Sequence, residues 1–304
     1  MLFSLLANLA ILFSLLALPL GNSQTIDVSA LLAGGQINLI KTAYPAGAPY
    51  RLNNSSLGMK ITAQAAMVVD KNTDLVLWQK NSTAPRVPAS ITKLLTALVF
   101  LDHNPGWAKP ITVTAGDYRQ GGRTYIYAGE QISLTDLFNI ALVASANSAT
   151  VALARATGLS AAEFTAAMNA KAAELGMNDS TFTEPTGLDP QNVSTAADII
   201  KLARAAFARP EIRQATVSEE YNLKVLNNGR TYTFKNTDKL LAGYLDIQAG
   251  KTGYLDEAGY CLVSEVLNSG GHGALISVLG SATDADRFQD LKALAQWAFD
   301  NYRW

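Results

Sequence analysis

The sequence predicts an α+β fold in which a mostly antiparallel sheet is flanked by helices. One β-rich run, AAMVVDKNTDLVLWQKN, opens the globular part, and three more close it: YLDIQAGKTGY, GYCLVSEVLNS and HGALISVLGSA. Between them lies a long, alanine-rich and mostly helical region. Strands at both ends with helices between them favour one sheet whose first and last strands meet across an inserted all-helical subdomain, placed at about residues 105–225.

Turn and cap residues predict the individual elements. The first β-rich run is interrupted by the turn residues Asp70–Asp74, which indicates a hairpin. An apolar helix follows in PASITKLLTALVFLDH and ends at His103–Gly106. Three more helices are predicted in SLTDLFNIALVASANSATVALARATG, SAAEFTAAMNAKAAELGM and STAADIIKLARAAFARP. The first of these begins at Ser133 with Asp136 in its first turn, the second is capped by Ser160 and ends at Gly176, and the third is capped by Ser194 or Thr195 and ends before Pro210. A last amphipathic helix begins near Thr283.

The first residues predict export to the periplasm or to the outer face of the inner membrane. MLFSLLANLAILFSLLALPL carries no charged side chain and breaks at Pro19 and Gly21, as a secretory signal does before cleavage. A basic n-region and a clear A-x-A site are missing, and the stretch is also long enough to stay in the membrane. We assign residues 1–23 as a signal peptide or N-terminal membrane anchor, 24–58 as an extended lead-in, and 59–304 as the catalytic domain.

Composition excludes several classes of protein. Of 304 residues, 49% are hydrophobic and 16% charged, and the net charge of −1 comes without a run of Lys or Arg. The electrostatic footprint of a nucleic-acid-binding protein is therefore missing. The lone Cys261 excludes an internal disulfide framework and a cysteine-based metal cluster. The sequence also lacks a P-loop, a G-x-G-x-x-G motif and ligands at zinc spacing, so we expect no metal and no organic cofactor.

A Ser-His-Asp triad is disfavoured as well. It would have to use His103 or His272, which are the only histidines. The first ends a helix, the second lies in a glycine-rich turn, and the G-x-S-x-G motif is absent. We expect both histidines to be structural or at the surface, which leaves a serine hydrolase whose base is a lysine.

Ser90 and Lys93 are the first candidates for such a pair. Their helix is apolar on every side and belongs in a core, where an ammonium is costly unless it is paired or loses its proton. The two residues are separated by three positions and share one helix face. A neutral lysine could accept the proton of the serine. S-x-x-K alone is a weak signal, but a buried helix strengthens it.

Two further stretches support the same chemistry. Ser145-Ala-Asn147 interrupts an apolar helical run, and Lys251-Thr252-Gly253 is expected to open a strand. Alternatively, Ser145 and Asn147 only cap a helix, and Lys251-Thr252-Gly253 is a turn with an exposed lysine. S-x-x-K, S-x-N and K-T-G in this order, however, form the motif set of penicillin-recognising enzymes.

With these motifs the chain resembles the low-molecular-mass penicillin-binding proteins, the serine-type D-alanyl-D-alanine carboxypeptidases. The resemblance runs from about residue 64 to the end through blocks such as VPASITKLLTA, GEQISLTDLFNIALVASANSATVALA, FKNTDKLL and AGKTGYLDEAGYCLV. It implies a β-lactamase/transpeptidase-like fold. Ser148 departs from the Asp that often follows S-A-N in the family. The chain ends at Trp304, and this compact form is similar to the shorter DD-endopeptidases of the family.

The resemblance also implies roles for the S-x-x-K and S-x-N residues. Ser90 would attack the carbonyl between two D-alanines of a peptidoglycan stem peptide and form an acyl-enzyme. Lys93 would be the best candidate for the base, although the identity of the base in these enzymes is disputed. Ser145 would relay a proton to the leaving amine, and Asn147 would hold Lys93 and the substrate amide.

The K-T-G strand would bind the substrate. Lys251 and Thr252 would bind its terminal carboxylate, and Lys251 would depress the pKa of Lys93 by like-charge repulsion. Gly253 would allow close approach to the strand. The backbone N–H groups of Ser90 and Tyr254 would form an oxyanion hole. β-Lactams would be covalent inhibitors, and residues 1–20 leave membrane association open.

Three alternatives remain at this point. A DD-endopeptidase would cleave cross-links with the same residues. A serine β-lactamase would need a carboxylate that positions water, and Glu184–Asp189 is similar to the class A loop but one residue longer. A non-catalytic sensor would capture penicillin or peptidoglycan without turnover. The loop GDYRQGGRTYIYAGE, with Arg119, Arg123, Tyr125 and Tyr127, is either part of the pocket for the rest of the stem or a solvated loop.

Overall fold

The computed structural model describes residues 45–52, 55–56, 58–120 and 124–304. The predicted signal or anchor, residues 1–23, and most of the predicted lead-in lie outside this part of the chain. Within the described residues, no helix combines the length and the apolar character that a membrane crossing requires.

A five-stranded antiparallel sheet forms the centre of the molecule. Its strands are β2 (Ala65–Asp70), β3 (Val76–Lys80), β8 (Asp246–Leu255), β9 (Gly259–Leu267) and β10 (Gly273–Ser281). Their order is β3-β2-β10-β9-β8, and every neighbouring pair is antiparallel. The predicted first hairpin and the predicted meeting of the first and last strands are thus confirmed, because β2 pairs with β10. Strand β8 lies at one edge of the sheet.

Seven α-helices are present in the described residues. They are α1 (Thr92–Asp102), α2 (Leu134–Val143), α3 (Asn147–Ala156), α4 (Ala161–Glu174), α5 (Ala196–Phe207), α6 (Pro210–Val217) and α7 (Asp284–Asn301). The predicted cap residues act as such: the Ser133, Ser160 and Thr195 side chains accept hydrogen bonds from backbone N–H groups three residues later. Thr195, not Ser194, is the cap of α5, and Thr283 caps α7.

Several elements were not anticipated from the sequence. Helix α6 begins at Pro210, which the sequence predicts only as the stop of α5. Proline suits the first position of a helix because its missing N–H would be unpaired there anyway. The subdomain predicted as all-helical also contains the paired strands β4 (Pro110–Thr112) and β5 (Gln131–Ser133). Strands β6 (Glu220–Lys224) and β7 (Thr231–Lys235) form a further hairpin at its end. These short strands lack a strong apolar alternation, which explains why they escaped notice.

The sheet separates two apolar cores. Side chains alternate along β2, so that Ala65 and Val69 belong to the core shared with the helical subdomain, whereas Ala66 and Val68 face the core under α7. Strand β1 (Tyr50–Arg51), which falls in the predicted lead-in, pairs with β11 (Tyr302–Arg303) at the end of the chain. Helix α1 is buried along most of its length in the first core, as its apolar sequence predicts.

Candidate active site

Ser90 lies in a single 3₁₀ turn, Ala89–Ile91, that leads directly into α1. Ala89 has a φ of 49°, a left-handed conformation that costs energy for any residue with a Cβ. Gly187 packs against this turn, and a Cβ on Gly187 would come within 2.0 Å of the Ala89 carbonyl oxygen. The strained turn is therefore held in place by a segment that only glycine can supply at this distance.

Lys93 is buried beneath Ser90, with 1% of its surface exposed. Its Nζ lies 2.9 Å from Ser90 Oγ, 2.7 Å from Asn147 Oδ1 and 2.6 Å from the Thr186 carbonyl oxygen. A neutral amine has two hydrogens and one lone pair. It can donate to the side-chain oxygen of Asn147 and to the carbonyl oxygen of Thr186, which only accept, and turn its lone pair toward the Ser90 hydroxyl.

Burial makes the neutral form of Lys93 accessible. Removal of the ammonium from water lowers the pKa of Lys93 to about 7, and the carboxylate of Glu184 opposes this shift. A pKa near neutrality is what a general base that works at neutral pH requires. A lysine can therefore be buried in this apolar helix without the cost of a buried ammonium, because it can lose its proton.

Ser145 and Asn147 lie where α2 gives way to α3. Ser145 has a φ of 57°, again left-handed, and the chain resumes helical structure at Asn147. Asn147 is buried, and its side-chain oxygen accepts the hydrogen bond from Lys93. Asn147 thus contacts α1 through Lys93, and Ser145 contacts the sheet through Lys251. Residues that only capped a helix locally would not make these contacts.

Lys251, Thr252 and Gly253 lie in the middle of β8, not at its start as expected from the sequence. The reason is that DIQA, before the motif, already pairs with β9. The Lys251 ammonium donates to Ser145 Oγ and to the Thr252 carbonyl, both at 3.0 Å. Because β8 pairs with β9 on one side only, its other edge faces the helical subdomain.

Burial shifts the pKa of both lysines in the same direction. Burial lowers the pKa of Lys251 well below its usual value, and the nearby charges of Lys93 and Arg287 lower it further. For Lys93, burial is the largest cause of the lowered pKa, and the charge of Glu184 opposes it. The depression of the Lys93 pKa by Lys251 stays a prediction, since burial by itself gives the direction of the shift.

Gly253 brings β8 against the turn that carries Ser90. A Cβ at Gly253 would lie 2.8 Å from the Pro88 carbonyl oxygen and 3.1 Å from the Ser90 backbone nitrogen, so glycine is required for this approach. The next residue, Tyr254, is half-exposed, and its ring stacks on Tyr260 with centroids 4.3 Å apart. The backbone nitrogens of residues 90 and 254 thus belong to segments in direct contact.

A cleft of about 550 Å³ lies between β8 and the helical subdomain, and its lining includes Ser90, Ser145, Asn147, Thr252, Gly253 and Tyr254. Sequence reasoning missed two polar groups in it. Thr237 follows β7 and places its hydroxyl 2.6 Å from that of Thr252. Arg287, on α7, donates to the Gly253 carbonyl at 3.0 Å and adds positive charge beside Lys251. No local pattern marks Arg287, since it lies more than thirty residues from the strand it contacts.

Of the remaining candidates, Tyr125 lies at the cleft and both histidines lie elsewhere. His103 Nδ1 is 3.0 Å from the Val99 carbonyl oxygen of its own helix, and His272 stacks on Trp304. In the loop predicted to flank the site, Arg119 donates to the carbonyls of Gly116 and Tyr118, whereas Tyr125 lines the cleft. Arg123 lies outside the described residues. Within the described residues, no group of His, Cys, Asp and Glu could hold a metal ion.

Glu184 organises the loop that supports Lys93. Its carboxylate accepts hydrogen bonds from the backbone N–H groups of Thr186, Gly187 and Leu188, with the first at 2.8 Å and the last at 2.9 Å. The Asn192 amide also donates to it at 3.2 Å. The carboxylate thereby fixes the Thr186 carbonyl that receives the Lys93 hydrogen bond.

Comparisons with known proteins show the family to which the chain belongs. A family model described as D-alanyl-D-alanine carboxypeptidase matches residues 49–283. The chain is 35% identical to a D-alanyl-D-alanine endopeptidase of Escherichia coli, over 78% of this chain and 77% of the relative. It is 30% identical to a D-alanyl-D-alanine carboxypeptidase of Bacillus subtilis, over 79% of this chain and 63% of the relative.

Solved structures show the same fold. A Streptomyces DD-transpeptidase superposes with a TM-score of 0.75 at 24% identity, covering 81% of this chain and 100% of that one. An evolved penicillin-binding protein homologue from Mycobacterium tuberculosis gives a TM-score of 0.75 at 27% identity, covering 85% and 96%. The predicted β-lactamase/transpeptidase-like α+β fold is confirmed. The chain belongs to the D-alanyl-D-alanine carboxypeptidase family of serine peptidases, the low-molecular-mass penicillin-binding proteins.

Proposed function

We propose that the protein is a serine-type D-Ala-D-Ala carboxypeptidase that trims peptidoglycan stem peptides through an acyl-enzyme on Ser90. The observation that carries the proposal is the contact between Ser90 Oγ and Lys93 Nζ, 2.9 Å apart, with a lysine buried enough to work as a neutral amine. A nucleophile within hydrogen-bond reach of its base is the arrangement that covalent catalysis by serine requires.

Acylation follows from the positions of these groups. Lys93 takes the proton from Ser90 as the oxygen attacks the carbonyl carbon, and the backbone N–H groups of Ser90 and Tyr254 stabilise the negative charge on the carbonyl oxygen. Ser145, whose Oγ accepts a hydrogen bond from Lys251 Nζ, then relays to the departing amine the proton that Lys93 took up, so that Lys93 is neutral again. Asn147 orients Lys93 and the substrate amide. The C–N bond breaks and the terminal residue leaves as a free amine.

Positive charge at one end of the cleft selects substrates that end in a carboxylate. Arg287 lines the cleft together with Thr252 and Thr237, and Lys251 is buried next to them, so a carboxylate there would receive hydrogen bonds from the hydroxyls and charge from Arg287. The substrate backbone can lie along the open edge of β8, whose Gly253 leaves room for it. Peptides that end in D-Ala-D-Ala, and β-lactams that mimic them, meet both conditions.

The hydrogen bonds and the position of Glu184 argue against β-lactamase activity. Its oxygens accept hydrogen bonds from three backbone N–H groups of its own loop, and it does not line the cleft that holds Ser90. A carboxylate engaged in this way is poorly placed to activate water against the acyl-enzyme. We therefore expect a penicillin adduct to persist for many minutes on the purified protein.

Release of D-alanine from a synthetic D-Ala-D-Ala peptide tests the proposal. The wild type should release D-alanine and become labelled by penicillin, and Ser90→Ala should do neither. Ser148→Ala, one residue after the S-x-N motif, is a matched control that should retain both. Turnover by Ser90→Ala would refute the assignment of the nucleophile. Labelling without any release would favour the non-catalytic sensor.

Endopeptidase activity is a second candidate, favoured by the relatives. The D-alanyl-D-alanine endopeptidases of Pseudomonas aeruginosa and Escherichia coli are 34% and 35% identical to the chain. The carboxypeptidases of Bacillus subtilis and Haemophilus influenzae are 30% and 28% identical. Digestion of purified cell wall, with products separated by mass, distinguishes the two: loss of terminal D-alanine from monomers indicates a carboxypeptidase, and loss of dimers an endopeptidase.

Export is proposed on the apolar sequence of residues 1–20, in keeping with a cell-wall substrate. Fractionation of cells that express the full chain, followed by N-terminal sequencing, tests it. A mature protein that starts near residue 24 indicates a cleaved signal, an intact membrane-bound chain indicates an anchor, and an intact chain in the cytoplasm would refute export.

A further inference from the structure

A second pocket, the α2–α6 pocket, lies in the helical subdomain apart from the active-site cleft. It has a volume of about 400 Å³, which is within the range of about 300–1,000 Å³ that small-molecule sites occupy. Its lining comes from α2, α6 and the residue after it, β6, and the loop between α1 and β4. Among the described residues, none lines both this pocket and the cleft. The pocket is therefore a separate candidate for binding a ligand.

Two aromatic rings with fixed orientations belong to its lining. Trp107 and Tyr221 line the pocket, and both are partly exposed. The Trp107 ring meets the rings of Phe138 and Phe100 edge to face, with centroids 5.3 Å and 5.8 Å away. The Tyr221 hydroxyl donates to the Asp136 carboxylate at 2.8 Å. Rings that are held in this way lose little conformational entropy when a ligand packs on them.

Polar side chains with unused hydrogen-bonding capacity lie beside these rings. Gln214 is exposed, and its side-chain amide makes no hydrogen bond to the described residues. Glu211 makes no side-chain hydrogen bond to them either, and its buried Oε2 has only a long contact of 3.9 Å with Arg209 Nε. The Trp107 indole N–H is likewise unpaired within the described part of the chain. Donors and acceptors therefore remain available next to the aromatic surface.

The charges at the pocket favour a neutral ligand. Of the described residues that line it, none is a lysine or an arginine, and Glu211 supplies a negative charge. A phosphate or a free carboxylate would therefore be repelled. A sugar ring suits the pocket, because its C–H groups can pack on aromatic faces while its hydroxyls bond to carboxylate and amide groups. An N-acetyl group adds an apolar methyl and an amide that can pair with the Gln214 amide.

We propose that the α2–α6 pocket binds an N-acetylated sugar of the peptidoglycan glycan strand. The choice of this polymer rests on the proposed function, because the glycan strand carries the stem peptides on which the enzyme acts. The sugar is held by non-covalent contacts alone: one face packs on Trp107 and Tyr221, and its polar groups bond to Glu211 and Gln214.

Both helices of the pocket also support the active site. Helix α2 ends two residues before Ser145, so Asn139 in the pocket is about 9 Å from Ser145 along the helix axis, at about 1.5 Å per residue. On α6, Arg213 donates to the Gln248 carbonyl of β8 at 3.2 Å. A glycan strand bound in the pocket would keep its stem peptides near the cleft and raise their effective concentration there.

Binding of chitotetraose, a soluble oligosaccharide of N-acetylglucosamine, tests the proposal on the purified full chain. A ligand-observed NMR titration should show saturable binding at millimolar concentrations. Trp107→Ala should weaken binding at least about tenfold and Gln214→Ala about threefold, the scales of a lost aromatic contact and of a lost hydrogen bond. Gln289→Ala, at an exposed glutamine of α7, is the matched control and should bind as the wild type does. Protein acylated by penicillin should bind with unchanged affinity, because the penicillin fills the cleft and leaves the pocket open.

Several results of this titration would overturn the sugar site. They are an absence of saturable binding at these concentrations, binding that Trp107→Ala and Gln214→Ala leave unchanged, and binding that acylation by penicillin abolishes. A sugar-free stem peptide that binds at the pocket in place of the oligosaccharide would overturn the choice of ligand. If Trp107→Ala does not fold, Gln214→Ala decides, since its side chain makes no hydrogen bond to the described residues.

Activity on two substrates separates this inference from the proposed function. Gln214→Ala should lower the initial rate on intact cell wall, at limiting wall concentration, about threefold, and change kcat/KM on a soluble D-Ala-D-Ala peptide less than about 1.5-fold. An equal effect on both substrates, or no effect on the cell wall, would contradict capture of the glycan strand by the pocket. A wild-type protein that binds the oligosaccharide but releases no D-alanine from either substrate would refute the proposed function, while the sugar site itself stands.

Discussion

The pH dependence of acylation tests whether Lys93 is the general base. Burial lowers the pKa of this lysine to about 7. Only the neutral amine can take the Ser90 proton, so acylation should rise with pH as Lys93 loses its proton. The neutral fraction of a group with a pKa of about 7 grows from roughly 0.1 at about pH 6 to roughly 0.9 at about pH 8. The rate of penicillin labelling should therefore increase about tenfold over this interval.

Lys93→Arg tests the same point by substitution. A guanidinium stays charged in proteins, so it can fill the buried site without serving as a base. Loss of a general base costs about 10²–10⁴-fold in rate, so labelling by this variant should fall by about this factor at about pH 8 and should no longer rise with pH. Lys109→Arg, at an exposed lysine, is the matched control.

Stopped-flow or gel-based labelling with a fluorescent penicillin measures these rates, and circular dichroism at each pH verifies that the fold is retained. A labelling rate that is flat between about pH 6 and pH 8 would contradict the reasoning, as would a folded Lys93→Arg protein that reacts within about tenfold of the wild type.

Two further predictions concern the surroundings of Ser90. Gly253→Ala should slow penicillin labelling by at least about tenfold, because the added Cβ would lie 2.8 Å from the Pro88 carbonyl oxygen. Gly116→Ala, where the atom nearest to the added Cβ is 3.6 Å away, is the control and should be labelled at the wild-type rate. Equal labelling rates for the two variants would disprove the crowding at Gly253. Glu184→Gln should lower the free energy of unfolding by about 1–3 kcal/mol, measured with urea, because charge-assisted hydrogen bonds in its loop are weakened. The same variant should move the labelling profile to lower pH, since Glu184 raises the pKa of Lys93; a shift to higher pH would reverse the inferred sign.

The elements with strong local signals could be predicted from the sequence. The caps at Ser160 and Thr195 and the three closing strands carry side-chain patterns that act within a few residues. Helix α6 and the β6–β7 hairpin are not predicted, because proline is as typical of a helix stop as of a helix start and because the two strands are half-exposed. In hindsight, Asn227–Gly229 is a turn signal between them.

For the active site, prediction from the sequence reaches a different limit. The three motifs identify Ser90, Lys93 and Lys251 because their order in the chain is distinctive. The left-handed turn at Ala89, its support by Gly187 and the contact of Arg287 with β8 depend on residues far apart in sequence. Contacts of this kind follow from the tertiary fold, and no periodicity or local spacing encodes them.

Mass spectrometry of the penicillin adduct tests the central claim most directly. The wild type should gain the mass of one penicillin, and digestion should place it on the peptide that contains Ser90. Lys93→Arg should show the adduct only after much longer reaction. An adduct on Ser145 or on another residue, or more than one adduct per chain, would contradict Ser90 as the nucleophile of this enzyme.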